Sequence, residues 1–284
     1  MFDQTNTTGV PPEYRPLLDP PAPPVTAEPV PSERVLELNA EPAANPKGTA
    51  MGWALTIAVA VVLTIVVKTF ILQAYSIPSE SMEPALLKGD YIIVSKWSYG
   101  YSRHSIPFSP PIFSGRIFGQ TPTRGDIVVF DRPPNDPKTN ESDPDVLIKR
   151  VIGLPGDHVK CCDAQGRITV NGQPLDEGTY LYSENGQTVA PSEFPFDVVV
   201  PKDRIWVMGD HRNNSQDSRC HLTEGTGGIA AFVPTADVVG SAVAVVYPFD
   251  RWRTLSRPAT FDQVPAATAP APDTPVIVGD PPTC

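Results

Sequence analysis

Val146-Leu-Ile-Lys-Arg-Val-Ile152 is a run of β-branched and large aliphatic residues broken only by two adjacent cations. Its apolar members fall on both alternating faces, the pattern of a buried strand. Runs of the same kind surround it: Tyr91-Ile-Ile-Val94, Asp126-Ile-Val-Val-Phe130, Ile168-Thr-Val170, Asp197-Val-Val-Val200, Ile205-Trp-Val-Met208 and Val238 to Tyr247. Turn signals separate them: Lys88-Gly-Asp90, Arg124-Gly-Asp126, Leu154-Pro-Gly-Asp157, Asn171-Gly172 and Met208-Gly-Asp210. Between 90 and 257 no long amphipathic helix can be written, and the one short helix candidate runs from Ser81 to about Leu87. The reading is a mostly β domain of barrel or sandwich type over 75–257. The stretch 101–122, with prolines and no period, reads as a loop.

Lys149 is the anomaly in the deciding strand. Desolvation disfavours its charged form, and a neutral lysine can serve as a general base. The plainer alternative is an edge-strand lysine reaching solvent.

Upstream, Met51 to Val67 carries no charged residue, and the apolar character resumes after Lys68. The expectation is one transmembrane helix over 50–74, since about 20 residues cross a bilayer core. Trp53 suits one interface and Lys68 can snorkel to the other. A cleaved secretory leader is disfavoured by the acidic residues ahead of the run and by the lack of a nearby small-x-small site. Lysines flank both ends, so charge does not orient the span.

Residues 1–46 carry seven acidic side chains against two arginines, and 258–284 carry three aspartates and no basic residue, so these flanks hold most of the formal −10. Both are proline-rich, and 1–49 and 258–284 read as disordered. The domain between them is close to neutral, without the basic stripe that nucleic acid requires.

Between the span and the first strand lies Tyr75-Ser-Ile-Pro-Ser-Glu-Ser-Met-Glu-Pro84. Ser79 or Ser81 could present a reactive hydroxyl at a turn, or simply cap a short helix. After the Ile205–Met208 strand comes Met208-Gly-Asp-His-Arg-Asn-Asn-Ser-Gln-Asp-Ser-Arg219, dense in hydrogen-bonding groups. There Asp217 and Arg219 are spaced to pair with groups around a site.

Taken in order, Ser76 to Pro84 with Lys88-Gly-Asp90, Arg124 to Phe130, Ile148 to Asp157 and Met208 to Arg219 resemble the bacterial type I signal peptidase family over roughly 75–250. The resemblance implies a β-rich, partly open barrel behind a single N-terminal transmembrane helix. It implies a membrane-bound endopeptidase that removes signal peptides from exported preproteins, single-pass in the cytoplasmic membrane with its catalytic domain outside. By position, Ser81 is the implied nucleophile and Lys149 its base. Ser79 joins the Ser81 N–H in the oxyanion hole, Ser215 orients the lysine, and Asp217 with Arg219 supports the site. Tyr75, Ile77, Pro78, Met82, Leu86 and Ile148 are the implied cleft residues, for an extended Ala-x-Ala substrate. No cofactor and no metal is implied. Two departures stand out: Glu80 lies where glycine is common between the two serines, and His211 where asparagine is frequent.

Other readings lead elsewhere. His158, Cys161, Cys162, Cys220 and His221 could be assembled into a zinc site, although adjacent cysteines lack chelating spacing. A disulfide from Cys220 to Cys161 or Cys162 is the competing expectation. His211 near Asp210 and Ser215 could form a Ser-His-Asp site, but no G-x-S-x-G elbow is present. A self-cleaving repressor of the LexA type shares the Ser-Lys logic but not the span. A membrane-tethered binding domain without catalysis is the remaining alternative.

Overall fold

The computed structural model describes residues 46–70, 72–102, 116–117, 119–133 and 145–280; residues 1–45 of the flank expected to be disordered and most of the loop over 101–122 lie outside them, while 46–49 of that flank are helical. Helix α1 runs Pro46–Phe70 and strand β1 Leu72–Ser76. The expected helix to residue 74 therefore stops short. The alternating Leu72-Gln-Ala-Tyr-Ser76 segment instead pairs antiparallel with β2, Tyr91–Ser95. Among the described residues no helix is long and apolar enough to cross a membrane.

The catalogue of apolar runs maps well onto strands. Strands β3 (Ile127–Asp131), β4 (Val146–Gly153), β5 (His158–Cys161), β6 (Ile168–Val170), β7 (Phe196–Val199), β8 (Arg204–Met208) and β9 (Val238–Tyr247) follow in chain order. The main sheet is ordered β1-β2-β9-β3-β4-β8, with Val233–Pro234 added beyond β8. All its pairings are antiparallel, and bulges in β9 shift its register against β2 and β3. Such bulges bend and twist a sheet. The two ends of the order are not joined, so β1 is an edge strand.

Three turns share one construction. Gly89, Gly125 and Gly156 have φ between 86° and 91°, conformations that favour glycine. The aspartate after each glycine accepts from a backbone N–H three residues back: Leu87 to Asp90 at 2.9 Å, Thr123 to Asp126 at 2.9 Å and Leu154 to Asp157 at 2.8 Å. Two of these carboxylates also take a bidentate arginine, Arg251 on Asp90 and Arg124 on Asp157. The third, Asp126, accepts from the Tyr99 hydroxyl.

The helix expected from Ser81 is a chain of turns instead. Glu83 N–H bonds to Glu80 O and Leu86 N–H to Met82 O, but Pro84 has no N–H and restrains the residue before it from helical angles.

The C-terminal flank also departs from expectation. Residues 258–280 are built into the domain rather than disordered. Phe261 and Val264 are buried, and strand β10 (Val276–Ile277) pairs with β7 at the edge of a second sheet ordered β10-β7-β5-β6. Proline-rich composition concealed this because few anchors suffice: the Phe261 ring lies where a Cβ on Gly125 would stand, and Asn171 donates to Pro265 O. The cysteine expectation is corrected as well. Cys161 is bridged to its neighbour Cys162, and Cys220 is not a free thiol either.

Candidate active site

Strand β4 places Lys149 and Arg150 on opposite faces. The turn chain after β1 brings Ser81 to the Lys149 side. Lys149 Nζ donates to Ser81 Oγ at 2.9 Å and to Ile148 O at 3.1 Å. Both side chains are buried, at 5% and 6% exposure, so this is an interior contact and not a surface lysine touching a serine. Ser79 Oγ lies 3.3 Å from Ser81 Oγ, on the exposed side. A hydroxyl bonded to an amine in a dry setting can transfer its proton to that amine when the amine is neutral.

The segment after β8 crosses directly over the backbone of Ser81. His211 N–H donates to Ser81 O at 3.1 Å. A Cβ on Gly209 would collide with Ser81 O and Ser215 Oγ, so the close approach requires glycine there. Asp217 and Arg219 hold this crossing: Asp217 Oδ2 accepts from Gly209 N–H at 3.0 Å, Arg219 grips both Asp217 oxygens, and Arg219 donates to Arg212 O. Burial raises the Asp217 carboxyl, but the Arg219 guanidinium and its hydrogen bonds outweigh burial and leave it below the usual carboxylate range. Ser215 Oγ is buried beside Ser81 and has no hydrogen-bond partner among the described residues, so the implied bond to the lysine is not formed in this structure.

Behind the crossing lies a charged network that sequence reading missed. Arg150 forms a bidentate pair with Asp210 at 2.7 and 2.6 Å, donates to Gly125 O, and stands 4.7 Å from the Tyr180 ring centroid. Arg212 pairs with Glu177, which also accepts from the Tyr180 hydroxyl. The one available signal was the density of charge in a segment flanked by strands.

The six cleft candidates separate into two groups. Tyr75 is half-buried and Pro78 exposed, on the accessible surface beside the serines. Ile77, Met82, Leu86 and Ile148 belong to one hydrophobic cluster, and Met82 and Leu86 have no exposed surface at all. Those two support the serine turn from beneath and line no open cleft, because the turn folds its alternate apolar residues into the core. Among the described residues two backbone edges are open: β1 has no partner beyond β2, and residues 146–149 of β4 pair with β3 alone, since β8 joins only from Arg150 onward.

The other assemblies do not form. Asp210 is held by Arg150, the His211 ring bonds to Glu80 O, and Ser215 Oγ has no partner among the described residues, so the Ser215-His211-Asp210 relay is not built. His158 pairs with Asp197 and His221 with Glu224. Among the described residues there is no cluster that could hold a metal ion.

Residues 50–247 match the family described as signal peptidase, peptidase S26. A signal peptidase I of Rickettsia canadensis (strain McKiel) is 34% identical over 227 residues, covering 69% of this chain and 79% of the relative. One from Leptolyngbya laminosa is 36% identical over 206 residues, covering 72% and 84%. A solved signal peptidase I from Enterococcus faecalis V583 overlaps 43% of this chain and 97% of its own, at 26% identity and a TM-score of 0.29, too low an overlap to carry an argument. The family is one of serine endopeptidases, which removes the non-catalytic alternative. The chain belongs to the signal peptidase family, peptidase S26.

Proposed function

We propose that this endopeptidase removes N-terminal signal peptides from exported preproteins by a Ser-Lys dyad, at the outer surface of the cytoplasmic membrane. The observation that carries the reading is the 2.9 Å hydrogen bond between Lys149 Nζ and Ser81 Oγ, both buried. In the reactive state the amine is neutral, a form that loss of hydration favours. Ser81 Oγ passes its proton to Lys149 as it attacks the scissile carbonyl carbon. The resulting oxyanion takes hydrogen bonds from the Ser81 N–H and the Ser79 hydroxyl. Lys149 returns the proton to the leaving amine. It then takes one from the water that attacks the acyl ester and gives it to Ser81 Oγ as the ester C–O bond breaks, which frees Ser81. Ser215 turns its hydroxyl toward the lysine during this cycle, and the Asp217–Arg219 pair keeps the crossing segment in place.

The substrate is extended and pairs with the open edges of β1 and of residues 146–149, an edge-addition mode. Tyr75 and Pro78 flank small side chains of the Ala-x-Ala type. Bilayer anchoring through helix α1 is supported by the uncharged run from Met51 to Val67 and by the exposed Leu55, Ile57, Val61 and Leu63 of α1. No cofactor takes part.

The test is cleavage of a preprotein ending its signal in Ala-x-Ala, in detergent, by wild type, Ser81→Ala and Lys149→Ala. Cutting by wild type alone is expected, with each variant down by at least about 10³-fold. Cutting that survives Lys149→Ala would remove the lysine from the base role. Separately, sedimentation with lipid vesicles should be lost on deleting residues 1–70.

A further inference from the structure

His211 grips both peptide units that flank Ser81. Its ring Nδ1 lies 3.3 Å from Glu80 O, and its backbone N–H donates to Ser81 O at 3.1 Å. The ring is stacked on Tyr182 with centroids 3.8 Å apart and 23° between planes. Tyr182 is itself tied to the crossing segment by its N–H bond to Asp210 O, and the Asp210 carboxylate is fixed by Arg150, next to Lys149 on β4. The imidazole is therefore held in place from two directions. Glu83 is the nearest carboxylate, at 3.9 Å from Nδ1.

A trans peptide is planar, with its C=O and N–H pointing in opposite directions. The Glu80–Ser81 peptide is trans. Holding Glu80 O on one side thus fixes the direction of the Ser81 N–H on the other. We propose that His211 is a positioning residue that aims the Ser81 N–H at the oxyanion, acting through the Glu80 carbonyl with the proton on Nδ1. This rests on the Ser81 reading given above. It also gives a use to two departures from the family pattern. Glycine between the serines would leave that peptide freer than Glu80 does, and histidine in place of asparagine supplies both a donor and a stacking face.

Two substitutions separate the donor from the stack. His211→Phe keeps the aromatic stack on Tyr182 and removes the donor. His211→Asn removes the stack and keeps an N–H donor. The expectation is that His211→Phe lowers kcat by roughly ten- to a hundredfold, with KM and the thermal midpoint near wild type, a fraction of what losing an oxyanion donor costs. His211→Asn should recover most of the rate. A peptide boronate, whose tetrahedral adduct on Ser81 places an oxygen in the same position, should lose affinity for His211→Phe by a similar factor. Binding of uncleaved peptide to Ser81→Ala should not change when His211→Phe is added. An unchanged kcat in His211→Phe, a loss expressed in KM alone, or an asparagine variant slower than the phenylalanine one would overturn the proposal. Failure of wild type to cut at all would instead overturn the Ser81 reading.

Discussion

Lys149 and Arg150 are neighbours on one strand, and both are buried, yet their surroundings differ in kind. Arg150 faces a carboxylate in bidentate contact, a carbonyl and an aromatic ring. Burial works against its charge, but Asp210 outweighs burial and holds the guanidinium more firmly protonated than usual. Lys149, on the other face, bonds to a hydroxyl and a carbonyl, and the Asp217 carboxylate acts on it only through space. The alternation of a β-strand puts one cation in a structural ion pair and the next against a serine. Burial alone therefore says little about what a cation does, and the chemistry of its contacts decides.

The largest effect expected on the structural side of that contrast is from Asp210→Ala. It strands a buried guanidinium and should cost about 3–5 kcal/mol in urea unfolding, whereas Arg150→Met with Asp210→Leu should restore much of the loss. A cost below about 1 kcal/mol for the single change would mean that Arg150 finds other compensation. Phe261→Ala should also destabilise, by roughly 3–4 kcal/mol, because it empties the anchor of the C-terminal segment. Its kcat per folded molecule should fall less than its stability, since Phe261 packs on Gly125 and Tyr180 rather than on the serine turn. Gly209→Ala should behave in the opposite way. The added methyl forces the crossing segment off Ser81 at a cost of about 1–3 kcal/mol, and kcat in the cleavage assay should fall far more than the melting temperature.

The smallest effect is in acid. Asp217 is held below its unfolded value of about 3.9. It therefore contributes stability that is complete above that value and is lost as pH falls through the folded one. Asp217→Asn should flatten that acid limb in thermal melts taken below about pH 5. An unchanged limb would place the acid sensitivity elsewhere.

Much of this was legible in sequence because it is local. Strands follow β-branched runs, and the three Gly-Asp turns follow from glycine's angles and an aspartate's reach of three residues. Lys149 could be singled out because charge is costly within an apolar strand. What escaped depends on long-range contact. Gly209 reads like the other Gly-Asp pairs, yet its glycine is required by proximity to Ser81, which lies far away in sequence. Asp210 has no local turn role, because its carboxylate belongs to Arg150. The C-terminal segment looked too rich in proline to fold, but one aromatic residue and a two-residue strand fasten it. Met82 and Leu86 were assigned to the cleft because their position implied it, whereas the turn buries them.

The most direct test of the dyad is Lys149→Arg, assayed by single-turnover cleavage of an Ala-x-Ala preprotein beside wild type and Ser81→Ala. Arginine fixes a positive charge at this position and does not give up its proton at any working pH. If Lys149 is the base, the variant should cleave, per folded molecule, no faster than Ser81→Ala. Cleavage within about tenfold of wild type would show that charge at this position suffices, and the base for Ser81 would have to be sought elsewhere.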